Sequence, residues 1–117
     1  MVDENDTIFG RIIRKEIPAR MVFESENVVA FHDVNPQAPV HILVVPRKAI
    51  TGIAAAAKGD QSLLGEMLLA AATIAREQGI DESGYRLIIN NGESAGQSVF
   101  HLHLHLLGGR PFSWPPG

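Results

Sequence analysis

From His101 to Leu106 the chain alternates histidine and leucine without interruption: His101, Leu102, His103, Leu104, His105, Leu106. A strand has a side-chain period of two, so this run, as a strand, sets every imidazole on one face and every leucine on the other. Neighbouring imidazoles in such a row stand about 6.8 Å apart. Imidazole serves near neutral pH as base, acid, nucleophile or metal ligand, so three together are more than packing. The chemistry of this chain is expected at that row.

The remainder of the sequence sets the frame. Its 117 residues suit one compact domain. A formal net charge of −3 disfavours a broad polyanion-binding surface, so no nucleic acid is expected as a partner, whereas a small phosphorylated ligand is compatible with it. With no cysteine, neither a disulfide framework nor a thiolate zinc site can form. The opening residues, Met1 to Asp6, are acidic and polar, the reverse of a secretory signal. No apolar run approaches the roughly 20 residues of a spanning helix. These features predict a soluble cytoplasmic protein with no membrane partner.

Element by element, residues 1–6 read as a flexible opening. Asp6 or Thr7 then caps a short helix with an apolar stripe at Ile8, Phe9, Ile12 and Ile13. Ile17-Pro18-Ala19 ends it. Met21 to Glu24 and Val28 to Asp33 read as a hairpin around Ser25-Glu26-Asn27. Asn35 to Pro39 is turn material, and Val40 to Val45 reads as a central strand ended by Pro46. The Ala54–Ala57 run predicts a short helix capped by Thr51 and stopped at Lys58-Gly59. A longer helix follows over 61–78, capped by Asp60 or Ser62, with apolar spacing at Leu64, Met67, Leu68, Ala71, Ile74 and Ala75, and a stop at Gly79. That helix is expected to cover a sheet. Tyr85 to Asn90 and Phe100 to Leu107 supply the last strands. The order α, ββ, β, α, ββ predicts an α+β fold with an antiparallel sheet.

Between those last strands, Asn91 to Ser98 is small, polar and glycine-bearing. Such a loop brings backbone N–H groups close to an anion, and Ser98 adds a hydroxyl. A phosphate nest abutting a histidine row points to chemistry at phosphorus.

These residues also carry a family resemblance. Gly96-Gln97-Ser98-Val99-Phe100 followed by His101-Leu102-His103-Leu104-His105-Leu106-Leu107 resembles the histidine triad motif. Asp6-Thr7-Ile8-Phe9, Glu16 to Ala19, Phe31-His32-Asp33, Pro36 to Pro39, Gly108-Gly109-Arg110 and Trp114 to Gly117 are similar to the Hint branch, the histidine triad nucleotide-binding proteins. Nearly the whole chain is covered, as a single domain over 1–117 with a C-terminal tail at 108–117. The resemblance implies a five-stranded antiparallel sheet with one long and one or two short helices, and two such sheets joined in a homodimer. It further implies hydrolysis of purine nucleoside phosphoramidates.

Carried across residue by residue, the resemblance makes His103 the nucleophile that attacks the α-phosphorus. A free histidine has a pKa of ~6.5 and is mostly neutral at pH 7, so one ring nitrogen is available if the other is held. The two flanking imidazoles, His101 and His105, and the Ser98 hydroxyl can then hold non-bridging oxygens, and the residue that protonates the leaving amine stays open between Ser98, His105 and a neighbouring acid. His101 and His41 match positions that order the site. His32, by strand alternation, is expected at the surface. Asp33 falls where the family sets an acid against the ribose. Ile8, Phe9, Ile12, Phe31 and Leu43 match the nucleoside pocket, and Asn90, Gly96 and Gln97 complete the phosphate loop. Trp114, in a tail that cannot form a regular helix, corresponds to a residue near the partner's site. The family joins its protomers through the long helix and the strand near Tyr85 to Asn90.

Rival readings are a dinucleoside polyphosphate hydrolase, which shares the triad, and a nucleotide- or zinc-binding regulatory protein. Alternating histidines can coordinate zinc, but a structural zinc site wants a fourth protein ligand and a closed shell. No metal cofactor is expected to be required. The ligand predicted is a purine nucleotide of the AMP or GMP type.

Overall fold

The computed structural model describes residues 6–117; positions 1–5 of the opening expected to be flexible lie outside the described residues. The first helix, α1 (Ile8–Ile13), is capped by Thr7, whose hydroxyl oxygen accepts from the Gly10 N–H at 3.0 Å. Asp6 takes no part in the cap and pairs with Arg11 at 2.8 Å. Five strands follow, β1 (Met21–Glu24), β2 (Val28–His32), β3 (Val40–Pro46), β4 (Tyr85–Ile88) and β5 (Leu104–Gly108), with α2 (Gln61–Glu77) between β3 and β4. They form one antiparallel sheet in the order β1-β2-β3-β5-β4. The α+β class and the single long helix agree with the expectation.

The pleat sorts the core into two layers. Val28, Ala30, Ile42, Val44, Leu104 and Leu106 face one side, where Met67, Ala71, Ile74 and Ala75 of α2 cover them. Phe9 and Ile12 of α1 cover Val29, Phe31, Leu43 and Val45 on the other side. Leu104 and Leu106 pair with Val44 and Ile42, and His105 between them pairs with Leu43. Thus His105 lies on the α1 side while the flanking leucines lie beneath α2. Among the expected α2 core positions, Leu68 is exposed and Ala70 is buried in the layer instead.

Three expectations about local structure are corrected. The Ala54–Ala57 run is not an α-helix: Ala54 and Ala55 belong to a 3₁₀ turn, Ile53–Ala55, and the extended Ala56 and Ala57, at ψ 144° and 172°, separate it from a second, Lys58–Asp60. Thr51 does not cap them; Asp60 instead accepts the Ala57 N–H at 2.9 Å and holds Lys48 at 2.6 Å. The last two strands are shorter than expected: β4 ends at Ile88 and β5 begins at Leu104. Phe100 to His103 therefore lie outside the ladder. The Leu102 N–H goes to Ile50 O at 2.6 Å, which draws this segment toward the loop after β3 and away from strand pairing. Among the described residues, no helix is long and apolar enough to cross a membrane.

Candidate active site

On the α1 side of the sheet lies a cleft of about 460 Å³. Its apolar end is made by Ile8, Phe9 and Ile12 of α1, by Ile17, Pro18 and Ala19 after it, and by Phe31 and Leu43 from the sheet. Its polar end is made by Asp33, His41, Ser98, His103 and His105. A flat apolar slot ending in donors and a carboxylate suits an aromatic base joined to a sugar and a phosphate.

The expected row of three imidazoles is corrected. His103 and His105 do stand together, with ring centroids 5.1 Å apart. His101 is not on the cleft; it is 1% exposed, and its Nε2 lies 2.7 Å from the Pro46 carbonyl oxygen. The cause is the early end of the ladder: beyond Leu104 the backbone turns, and strand alternation no longer governs His101.

Hydrogen bonds fix the proton on each ring. The carbonyl oxygen of His101 can only accept, so at 2.7 Å it takes Nδ1–H of His103 and leaves Nε2 of that ring with its lone pair. The Gln37 backbone N–H donates to Nδ1 of His41 at 3.0 Å, so neutral His41 carries its proton on Nε2. That proton is given to Nδ1 of His105 at 2.9 Å, so neutral His105 bears its own on Nε2. These bonds leave unspent the lone pair on Nε2 of His103 and the N–H on Nε2 of His105.

Burial keeps these rings neutral. It is the largest cause lowering the pKa of His103, against the bond to His101 and the charge of Asp33, which both raise it. His105 is lowered to about 4 by burial first, then by repulsion from His103 and His41. His41 is lowered by burial against the pull of Asp33. The 3.4 Å approach of His41 Nε2 to Asp33 Oδ2 is therefore a contact of a neutral ring with a carboxylate. Phe9 sets its ring edge-on to His103, with centroids 4.9 Å apart, and joins that imidazole to the apolar wall.

The glycine loop is held from within. Gln97 is buried; its Oε1 accepts the Gly92 N–H at 2.8 Å, and its Nε2 donates to Thr51 O at 2.7 Å and Val99 O at 3.1 Å. Asn91 accepts the Ala54 N–H at 2.9 Å. A Cβ on Gly52 would stand 2.8 Å from Asn91 Oδ1, so only glycine lets these loops meet so closely. Gly96, at φ 92°, turns the chain toward exposed Ser98. Asn90 is half-buried beyond the end of β4 and does not line the cleft. Trp114 is 82% exposed in the tail, which is anchored where Arg86 and Arg110 stack on Phe112.

Sequence reasoning missed several lining groups. His32, expected at the surface, is half-buried on the cleft rim, where burial lowers its pKa. Val34, Asn35 and Val99 also line the cleft. Gln37 acts through its backbone, which no side-chain pattern reveals; the Asn35–Pro39 turn was its only signal.

Asp33, His41 and His105 each offer one ligand atom, all within 4.8 Å of one another. Two imidazoles, a carboxylate and water make a zinc-type donor set. An ion there would displace the proton between His41 and His105.

A HIT domain family model matches residues 14–112. The chain is 58% identical over 112 residues to an uncharacterized HIT-like protein of Synechocystis sp., covering 96% of this chain and 97% of that one. It is 50% identical over 118 residues to a 14 kDa zinc-binding protein of Zea mays, covering 99% and 91%. The crystal structure of a HIT family hydrolase from Legionella pneumophila matches with a TM-score of 0.94 at 46% identity, covering 96% of this chain and all (100%) of that chain.

Proposed function

Because the chain belongs to the HIT domain family and is built like a HIT family hydrolase, we propose that it hydrolyses the P–N bond of purine nucleoside 5′-phosphoramidates. The observation that carries this reading is the locked tautomer of His103, whose Nδ1–H is spent on the His101 carbonyl. Its Nε2 attacks phosphorus, forming a P–N bond to the ring as the P–N bond to the amine breaks. The Ser98 hydroxyl, which faces water, relays a proton to the departing amine. Nε2–H of His105 stabilises charge on a non-bridging oxygen. Water then attacks the nucleotidyl-His103, its oxygen bonding to phosphorus as the ring nitrogen leaves. The sum is phosphoramidate plus water to amine plus nucleoside monophosphate.

In this reading the base enters between α1 and the sheet, Asp33 accepts from the ribose hydroxyls, and Ser98 meets the phosphate at the end of a loop whose shape Gly96 and Gln97 hold. The working unit is a cytoplasmic homodimer. Leu69 on α2 is 71% exposed and Leu87 on the edge strand β4 is 37% exposed, surfaces that a second copy would cover. Trp114 would then reach toward the partner's cleft. A purely zinc-dependent role is less well supported, since the same histidines are already engaged in a proton-ordering network.

The test is a rapidly quenched reaction with adenosine 5′-phosphoramidate, followed by intact mass measurement. The expected result is a transient gain of one adenylyl group in the natural protein and none in His103→Ala. Turnover that persists in His103→Ala would exclude the mechanism.

A further inference from the structure

Ser98 lines two depressions at once. One is the cleft described above; the other is an open groove of about 500 Å³ formed by Glu93, Gly96, Gln97, Ser98 and Phe100. Gln97 has its amide turned inward onto Gly92, Thr51 and Val99, and Gly96 has no side chain. The chemistry of the groove thus comes from the Glu93 carboxylate, the Ser98 hydroxyl and the Phe100 ring. Phe100 is 50% exposed, an aromatic face left in water. Among the described residues, Glu93 has no cationic partner, and no basic residue lines the groove. A carboxylate and a π face both attract positive charge, and nothing on these walls opposes them.

The position of the groove gives that charge a use. In-line displacement at phosphorus sends the leaving group away from the attacking nitrogen. The nucleoside occupies the apolar end of the cleft, so the leaving group exits past Ser98. From this we infer that the groove is the leaving-group subsite and selects amines that carry a second, positive charge. The favoured leaving group is an alkylamine with an ammonium a few carbons from the nitrogen bonded to phosphorus, its chain on Phe100 and its charge near Glu93. This rests on the phosphoramidase reading and extends it from the bond cleaved to the class of amine released.

Three adenosine 5′-phosphoramidates of equal chain length test it, with the amine ending in an ammonium, a methyl or a carboxylate. The natural protein should rank them by kcat/KM in that order, each step being about two- to five-fold, the scale of one exposed charge contact. Glu93→Gln should collapse the ratio of cationic to neutral substrate toward one, and Glu93→Lys should invert it. Phe100→Leu should lower the ratio while keeping the order. High salt should flatten the preference of the natural protein. Equal ratios in all three proteins at position 93 overturn the inference alone. Absence of turnover with every substrate, and of any nucleotidyl-His103 mass, overturns the phosphoramidase reading and the inference with it.

Discussion

Nε2–H of His41 points at Nδ1 of His105 across 2.9 Å, and that one bond decides which nitrogen of His105 is left to act as a donor. The order originates in the backbone, because His41 takes its own tautomer from the Gln37 N–H. A turn of the chain thus sets the polarity of a site that its side chains alone would leave ambiguous.

Replacing Asp33 by alanine should weaken ribonucleotide binding roughly tenfold, the scale of a lost hydrogen bond to a charged group. The deoxy analogue should lose less, so the gap between the two narrows. Calorimetric titration of both nucleotides into both proteins measures the ratio, and an unchanged ratio removes the ribose role. Asp33 also accepts the Asn35 N–H at 2.8 Å, so some loss common to both ligands is expected from a loosened turn.

Acid should destabilise the fold before carboxylates titrate. An unfolded histidine takes up its proton near pH ~6.5, whereas His105 resists protonation until about pH 4 and His41, His101 and His103 are lowered in the same direction. Below the unfolded value the unfolded chain binds more protons, so stability present above that pH declines as pH falls toward the folded values. Urea midpoints across this window should drop. On the proposed mechanism the acid limb of kcat/KM should, for the same reason, lie below the ordinary histidine pKa, since His103 stays neutral.

Chelators should leave turnover intact, and added zinc should inhibit. An ion held by Asp33, His41 and His105 would disturb the rings that now share the His41–His105 bond. Turnover in metal-free buffer, with zinc then added back, separates this from a required metal: activity lost on chelation and restored by zinc would overturn it.

The outline of this fold was legible because its strongest signals are periodic. The α2 stripe and the Val40–Val45 run are each read by one rule, and both elements fall where that rule puts them, to within a residue at their ends. His103 and His105 were likewise found from spacing. His101 was misplaced because alternation was extended past the point where pairing stops, and pairing stops where Leu102 bonds to Ile50, far earlier in the chain. The Ala54–Ala57 run was misread because helix propensity is a weak prior against a loop anchored by Asp60 and Asn91. Gln37 was invisible because its contribution is an amide that every non-proline residue has.

Thr7→Ala should remove the acceptor that holds the Gly10 N–H at 3.0 Å and cost about 1 kcal/mol of stability. Denaturant midpoints with and without AMP check it, and AMP affinity should fall in parallel because Phe9 and Ile12 line the cleft.

An isolated helix as short as α1 does not persist in water. It survives by docking, and one of its docking partners is the imidazole of His103. The apolar wall of the cleft and the ring of His103 are consequently mutual scaffolds. On the proposed mechanism, engineering a new nucleobase preference into α1 will therefore retune reactivity along with affinity, and an adduct on His103 will be felt at α1.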